Sequence, residues 1–261
     1  MGNFKRAKEI DIFDGNGKKW EGKKGLVNEA DEMDRFSIVG EGYKVAQHQE
    51  VYDIVDKALI DLKVEHKTTT IDMNEGARLR IDLKFPQVVH SIAGESIQLW
   101  ATFDNSYDGS TGLRLEINAY MPVTDTNFYC SEMVSNQLNS YYHKHTKGLT
   151  IGELDGTISK GIEIFQKEIV REFEELVAQP ISGLSAKAFI GELVENPKSI
   201  KVAKKYLEKI YEAVDAASSR LTTAWGLYSL ISSILTTEVA GLDNRKNNAR
   251  VMLSKIQNHK W

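Results

Sequence analysis

The sequence is short of several things, and each shortage narrows its chemistry. Its 261 residues include one cysteine, so no disulfide forms within the chain and no multi-cysteine zinc site can be built. No apolar run of about eighteen residues occurs, so no segment is expected to span a membrane. The opening MGNFKRAKEIDIFDG lacks the apolar core of a signal peptide, and the expectation is a soluble, cytoplasmic protein. An excess of basic charge is missing too. Lys and Arg total 33 against 37 Asp and Glu, for a formal charge of -4, which excludes a strongly basic coat that grips duplex DNA everywhere. GNGKKWEGKKG (15–25) contains Gly and Lys but not the spacing of a phosphate loop, and no strand is expected before it. Cys130 has no neighbouring signature of a nucleophile and reads as a small packed thiol. No catalytic residue, cofactor site or metal site is assigned.

What is present divides by period. Residues 1–35 are rich in charge and glycine and read as an arm, with Phe4, Ile10, Ile12, Phe13, Trp20, Leu26 and Val27 as the side chains able to dock it. Residues 36–150 read as an antiparallel sheet with one early helix. FSIVGEGYKVA (36–46) holds a kinked strand or two short ones, and HQEVYDIVDKALIDLKVE (48–65) places its apolar residues on one helical face. ARLRIDLKF (77–85), SIQLWATF (96–103) and GLRLEINAYM (112–121) alternate as strands, and HKTTTIDM (66–73) is a weaker fourth. Residues 151–261 take a helical period, starting with Ile158, Ile162, Phe165, Ile169, Phe173 and Leu176. Further helices are expected over 185–194, from Asn196-Pro197 to 214, over 218–239 and over 245–258. Strands with one early helix, then a run of helices, define an α+β fold. The last helix carries Arg245, Lys246, Arg250, Lys255 and Lys260 with no acid after Arg245, and reads as a basic helix docking on its own domain.

Strand parity supplies the candidate site. The odd positions of the three clear strands are apolar. The even positions carry Arg78, Arg80, Lys84 and Arg114 with the aromatics Trp100 and Tyr120, opposed by Asp82 and Glu116. Cations that follow phosphates and rings that stack on bases are what a single-strand surface needs. A solvated sheet face and a face covered by the C-terminal helices fit the same pattern. Lys144, His145 and Lys147 in YYHKHTKG read as a rim to such a groove. Asn105, Asp108 and Ser110 in NSYDGSTG read as a side-chain-capped turn, with a divalent-cation loop as the alternative.

FSIVGEGYKVAQHQEVYDIVDKAL, DNSYDGSTGLRLEINAYMPVTDTNFYC, HKHTKG and WGLYSLISSILTTEV together resemble the phage- and plasmid-encoded proteins grouped as domain of unknown function 932. Asn105, Ser106, Asp108, Gly109 and Ser110 match the resembled motif, as do Cys130 and Lys144-His145-Thr146, the last with Lys in place of Arg. Ser131-Glu132-Met133 depart from it after the cysteine, and Ser229 and Ser232 depart from it in the late Trp225 helix. The resemblance implies a phage setting, and the element order is similar to the core of single-strand annealing proteins. With the strand face, it sets the expectation of a non-catalytic protein in the host cytoplasm that binds single-stranded DNA, promotes annealing and assembles into a homo-oligomeric ring or filament. The alternatives are a phage structural or host-interaction protein, and a metal-dependent nuclease built on Asp104, Asp108 and His145.

Overall fold

The computed structural model describes residues 4–131, 134, 142–146 and 156–261. The fold is α+β, with antiparallel sheets, one early helix and a C-terminal run of helices. The chain forms two compact units, each assembled from three separate stretches. The first takes residues 1–87, 100–117 and 138–162; the second takes 88–99, 118–137 and 163–261.

In the first unit, β1 (Ala7–Ile10), β2 (Lys23–Asn28) and β3 (Asp31–Gly40) form an antiparallel sheet in that order. The segment read as an arm is therefore a sheet. Its alternation is masked in the sequence because both β2 and β3 carry many exposed positions, and only Leu26, Val27 and Val39 of the two strands are apolar and buried. Leu26, Val39, Ala7 and Tyr107 make a core cluster, with Phe36, Tyr43 and Val45 against it. The early helix α1 (His48–Leu62) buries Val51, Val55, Ala58 and Leu59, the face expected from their spacing.

A second, six-stranded sheet has the order β4 (Lys67–Met73), β5 (Arg78–Ile92), β6 (Glu95–Ser106), β7 (Leu113–Met121) and β8 (Thr126–Phe128), with β9 (Tyr142–His143) also paired to β7. β5, β6 and β7 contribute residues to both units, and β5 and β6 outrun their sequence-derived lengths. The odd face is the apolar one: Leu79, Ile81, Leu83, Phe85, Leu99, Phe103, Leu113, Leu115 and Ile117 are all buried. Helix α2 (Thr157–Ile164) brings Gly161 against Ile117, where an added Cβ would lie 2.5 Å from the Ile117 side chain.

The second unit holds the helices that follow. α2 leads through a π turn (Phe165–Ile169) into α3 (Val170–Ala178), so the single helix read from the spacing carries one wide turn. α4 (Gly183–Glu195) opens on a capping box between Ser182 and Ser185. Asn196-Pro197 start only a short 3-10 turn (Pro197–Ser199). The next helix, α5 (Lys204–Ala217), begins later than expected, after Ala203. α6 (Ala224–Glu238) is capped by Thr223, whose Oγ1 accepts the Gly226 N–H, and α7 (Leu242–Gln257) ends the run. Phe128, Phe173, Trp225 and Tyr228 form the aromatic centre of this unit, with Trp225 5.1 Å from Phe128 and 5.0 Å from Phe173 between ring centroids. Among the described residues, no helix is long and apolar enough to cross a membrane.

Candidate nucleic-acid interface

The candidate site lies on the even face of the sheet within the first unit. β5 places Arg78, Arg80, Asp82 and Lys84 on this face, and β7 places Arg114 and Glu116 there. β6 runs past the stretch whose alternation was legible, as far as Ser106. The first residue of that extension, Asp104, is the centre of the site.

Asp104 is fully buried and accepts from three guanidinium groups. Its Oδ1 takes Arg80 Nε at 2.9 Å and Arg78 Nη2 at 3.2 Å. Its Oδ2 takes Arg80 Nη2 at 3.0 Å, and Arg114 Nε and Nη2 at 3.0 and 2.9 Å. Arg80 and Arg114 thus each donate two bonds, and Arg80 spans both oxygens in the fork geometry in which guanidinium binds carboxylate best. Burial alone would raise the Asp104 pKa. The Arg80 hydrogen bonds and the charges of Arg80, Arg114 and Arg78 outweigh it and hold the carboxyl below its ordinary range. Glu116 is a second acid at the cluster, with Oε1 3.4 Å from Arg114 Nη1.

Beside the triad, Asp82 is pushed up to about 6, first by burial and then by the charge of Asp104. Its Oδ1 meets no hydrogen-bond partner among the described residues. Lys84 stands directly opposite Lys67 in the β4–β5 register. β4 is the edge strand of the sheet, and Lys67 to Thr70 are exposed along it, so this side of the face reaches solvent.

The sequence-derived residues divide as follows. Arg78, Arg80, Lys84 and Arg114 come together in one unit, with Arg78 and Arg114 keeping 16% and 21% of their side chains exposed. Arg80 and Trp100 are closed off, at 4% and 3% exposed, so the reading of Arg80 as a phosphate contact and Trp100 as a stacking platform is revised: the first braces Asp104 and the second is core. Tyr120 is half-buried and belongs to the second unit. Lys144 is exposed. His145 is buried, stacked on Tyr43 at 4.8 Å, with Nδ1 3.0 Å from the Lys44 carbonyl, so it holds the segment ahead of α1 and is not a rim. Lys147 lies outside the described residues.

The Asn105–Ser110 motif explains itself locally. Asn105 Nδ2 donates to the Ala46 carbonyl at 2.8 Å and reaches His48 Nδ1 at 2.9 Å. Asp108 Oδ1 accepts the Ser110 N–H, Gly109 takes φ +71°, and Ser106 Oγ donates to the Thr111 carbonyl. The motif thus builds a capped hairpin turn and ties it to the start of α1. Tyr107 completes the junction: its hydroxyl accepts the His48 N–H at 2.8 Å, and its ring stacks on the His48 imidazole at 3.9 Å. His48 and Tyr107 were not singled out from sequence, and nothing in their spacing marks them. Asp104 and Asp108 are both engaged as described, and among the described residues no group of three or more His, Cys, Asp or Glu side chains could hold a metal ion.

Compared with models of protein families, with curated proteins and with solved structures, the chain matches none.

Proposed function

We propose that this chain is a non-catalytic nucleic-acid-binding protein that holds single-stranded DNA and promotes annealing. The observation that carries the reading is the Arg78–Arg80–Arg114 triad, oriented by a carboxylate that is itself fully buried. Guanidiniums fixed in advance lose little side-chain entropy when a phosphate arrives, and the partly exposed edges of Arg78 and Arg114 are the ones that meet it. The opposed Lys67 and Lys84 extend the cationic strip along the open edge strand. The resemblance of the Asn105–Ser110 and Lys144–Thr146 segments to phage-encoded proteins supports the same reading, and brings with it self-association into a ring or filament in the host cytoplasm. A net charge of -4 fits a narrow site better than a duplex-coating surface.

Fluorescence anisotropy with labelled single- and double-stranded DNA, with and without Mg²⁺, tests this. Salt-sensitive binding that favours the single strand and needs no Mg²⁺ is expected. Absence of single-strand binding at low salt contradicts it and favours an interaction protein. Cleavage in Mg²⁺ contradicts it in favour of a nuclease.

A further inference from the structure

Among the described residues, the two sheets end in four edges, and three of them are blunted. On β1, the Gln47 side chain fills the place of a neighbouring strand: its Nε2 donates to the Ala7 carbonyl at 2.9 Å, and its Oε1 accepts the Ala7 N–H at 3.0 Å. β3 belongs to a ladder that shifts register twice, at Leu26/Val27 and at Val27/Asn28. The far end of the larger sheet finishes in β8 and β9, of three and two residues. Short strands, irregular ladders and filled edges keep a sheet from pairing with other chains.

β4 has none of these. It runs for seven residues, and its register with β5 is unbroken from Lys67↔Lys84 to Met73↔Arg78. It holds no proline or glycine, and Thr68, Thr69, Thr70 and Ile71 are β-branched. Its charged residues, Lys67 and Asp72, stand towards its ends. Lys67 to Thr70 are exposed, so threonines on both faces of the strand meet solvent. An antiparallel strand turns alternate N–H and C=O groups away from its partner. Among the described residues, no backbone group pairs with those on the outer side of β4.

Symmetry points to the occupant. Two copies that share an edge antiparallel do so about a twofold axis normal to the sheet, which keeps every side chain on its own face. Facing residues are then an even number of positions apart, and full overlap of Lys67–Met73 sets Thr70 opposite its own copy. Thr68 then faces Asp72, Thr69 faces Ile71 and Lys67 faces Met73. Hydroxyl meets hydroxyl or carboxylate on one face, β-branched side chains meet on the other, and no like charges are opposed. These are pairings that favour an antiparallel ladder. An unrelated strand would need this match by chance, whereas β4 carries it in its own sequence.

We infer that β4 pairs with β4 of a second copy, antiparallel about Thr70, to form a twofold dimer with one continuous sheet. The contact is isologous and closes at two copies, so any ring or filament is built from such dimers. It gives the self-association of the reading above a surface, and it rests on β4 rather than on the arginines. Pairing uses the edge of β4 and leaves its faces open. Arg78 and Arg80 of both copies then lie on one side of the joined sheet, their β5 strands three interstrand spacings, roughly 14 Å, apart.

Analytical ultracentrifugation of the full chain, without DNA, tests this on the wild type, Thr70→Lys, Thr70→Glu and an equimolar mixture of the two variants. The wild type is expected to reach twice the 29.4 kDa of the chain. Each variant opposes like charges at the twofold axis and is expected to fall to the mass of one chain. The mixture opposes Lys to Glu and is expected to recover the dimer. Thr70 is exposed, so the circular dichroism of both variants is expected to match the wild type. A variant that merely misfolds would not be restored by mixing. A monomeric wild type overturns the inference. So does an assembly that both substitutions leave intact, and so does a mixture that stays monomeric. Single-strand affinity enters none of these outcomes, so the β4 contact and the nucleic-acid reading fail independently.

Discussion

A single carboxylate organises the candidate site. Asp104 is sheltered from water and held by three guanidiniums, so removing its charge takes from three cations the counter-ion they share. Asp104→Asn is expected to cost about 3–5 kcal/mol in urea denaturation, the range for breaking a buried ion pair from one side. Arg78→Gln leaves Arg80 and Arg114 on Asp104 and is expected to cost far less. Two neighbouring groups give opposite pH signatures. The neutral His48 donates Nε2–H to the Gly76 carbonyl at 3.1 Å and accepts from Asn105 at Nδ1, and burial pushes its pKa down to about 4. An unfolded chain takes up the proton near pH 6.5 and the folded chain only near 4. Stability from this residue is therefore complete above pH 6.5 and falls by roughly 3 kcal/mol as the pH drops to about 4. Asp82 runs the other way, because its folded pKa, about 6, lies above the ordinary 3.8. Its charge weakens the fold above pH 6, and the penalty fades as the pH falls towards 3.8. Asp82→Asn is accordingly expected to raise stability by about 1–2 kcal/mol at pH 8 and to change it little near pH 4. A stabilisation independent of pH would contradict the assignment. Denaturation of the wild type, Asp82→Asn and His48→Gln across this range separates the two signatures.

At the scale of elements, α4 offers two glycines with opposite expectations. A Cβ on Gly183 would come within 1.8 Å of the Ser218 carbonyl oxygen, a backbone atom that cannot swing aside. Gly183→Ala is expected to cost about 3 kcal/mol or more. Gly191 is inside the helix, and its Cβ would meet only the Tyr211 ring at an ordinary 3.5 Å. Gly191→Ala is expected to stabilise by about 0.5–1 kcal/mol through helix propensity. Paired thermal melts check the difference in sign. The elements also show which signals survive in a sequence. β5, β6 and β7 were legible because a covered apolar face forces strict alternation, and α1 because its buried face repeats with the helical period. Of the β1–β3 sheet only the end of β3 was legible, within FSIVGEGYKVA, since the outward positions of the rest break the pattern. Asp104 was named in the sequence only for the nuclease alternative, and its place among the arginines was missed for a sharper reason: the apolar alternation of β6 stops at Phe103, and the next residue on the polar face looked like the start of a turn. Carrying the parity one step further places a carboxylate among Arg78, Arg80 and Arg114, and turns an apparently free basic face into a braced one. Burial of Trp100 had no sequence signal, because an aromatic at an even position looks the same covered or open.

At the scale of the molecule, the sequence divides into an arm, a sheet and a helical block, whereas the folded chain divides into two units that each draw on three stretches. The cause is length. β5 spans 15 residues and β6 spans 12, so strands that begin in one unit finish in the other, and no linear boundary separates them. Charge is likewise redistributed by folding. The overall -4 conceals a cluster in which three guanidiniums face one buried carboxylate, and this cluster is the central claim for function. The most direct measurement is the dependence of single-strand affinity on salt for the wild type against Arg78→Gln with Arg114→Gln. Removing two cations that neutralise phosphates of a single strand is expected to lower the slope of log affinity against log salt by about 1.4 and to weaken binding at low salt. An unchanged slope with unchanged affinity, in a variant that still folds, would show that the triad does not meet DNA.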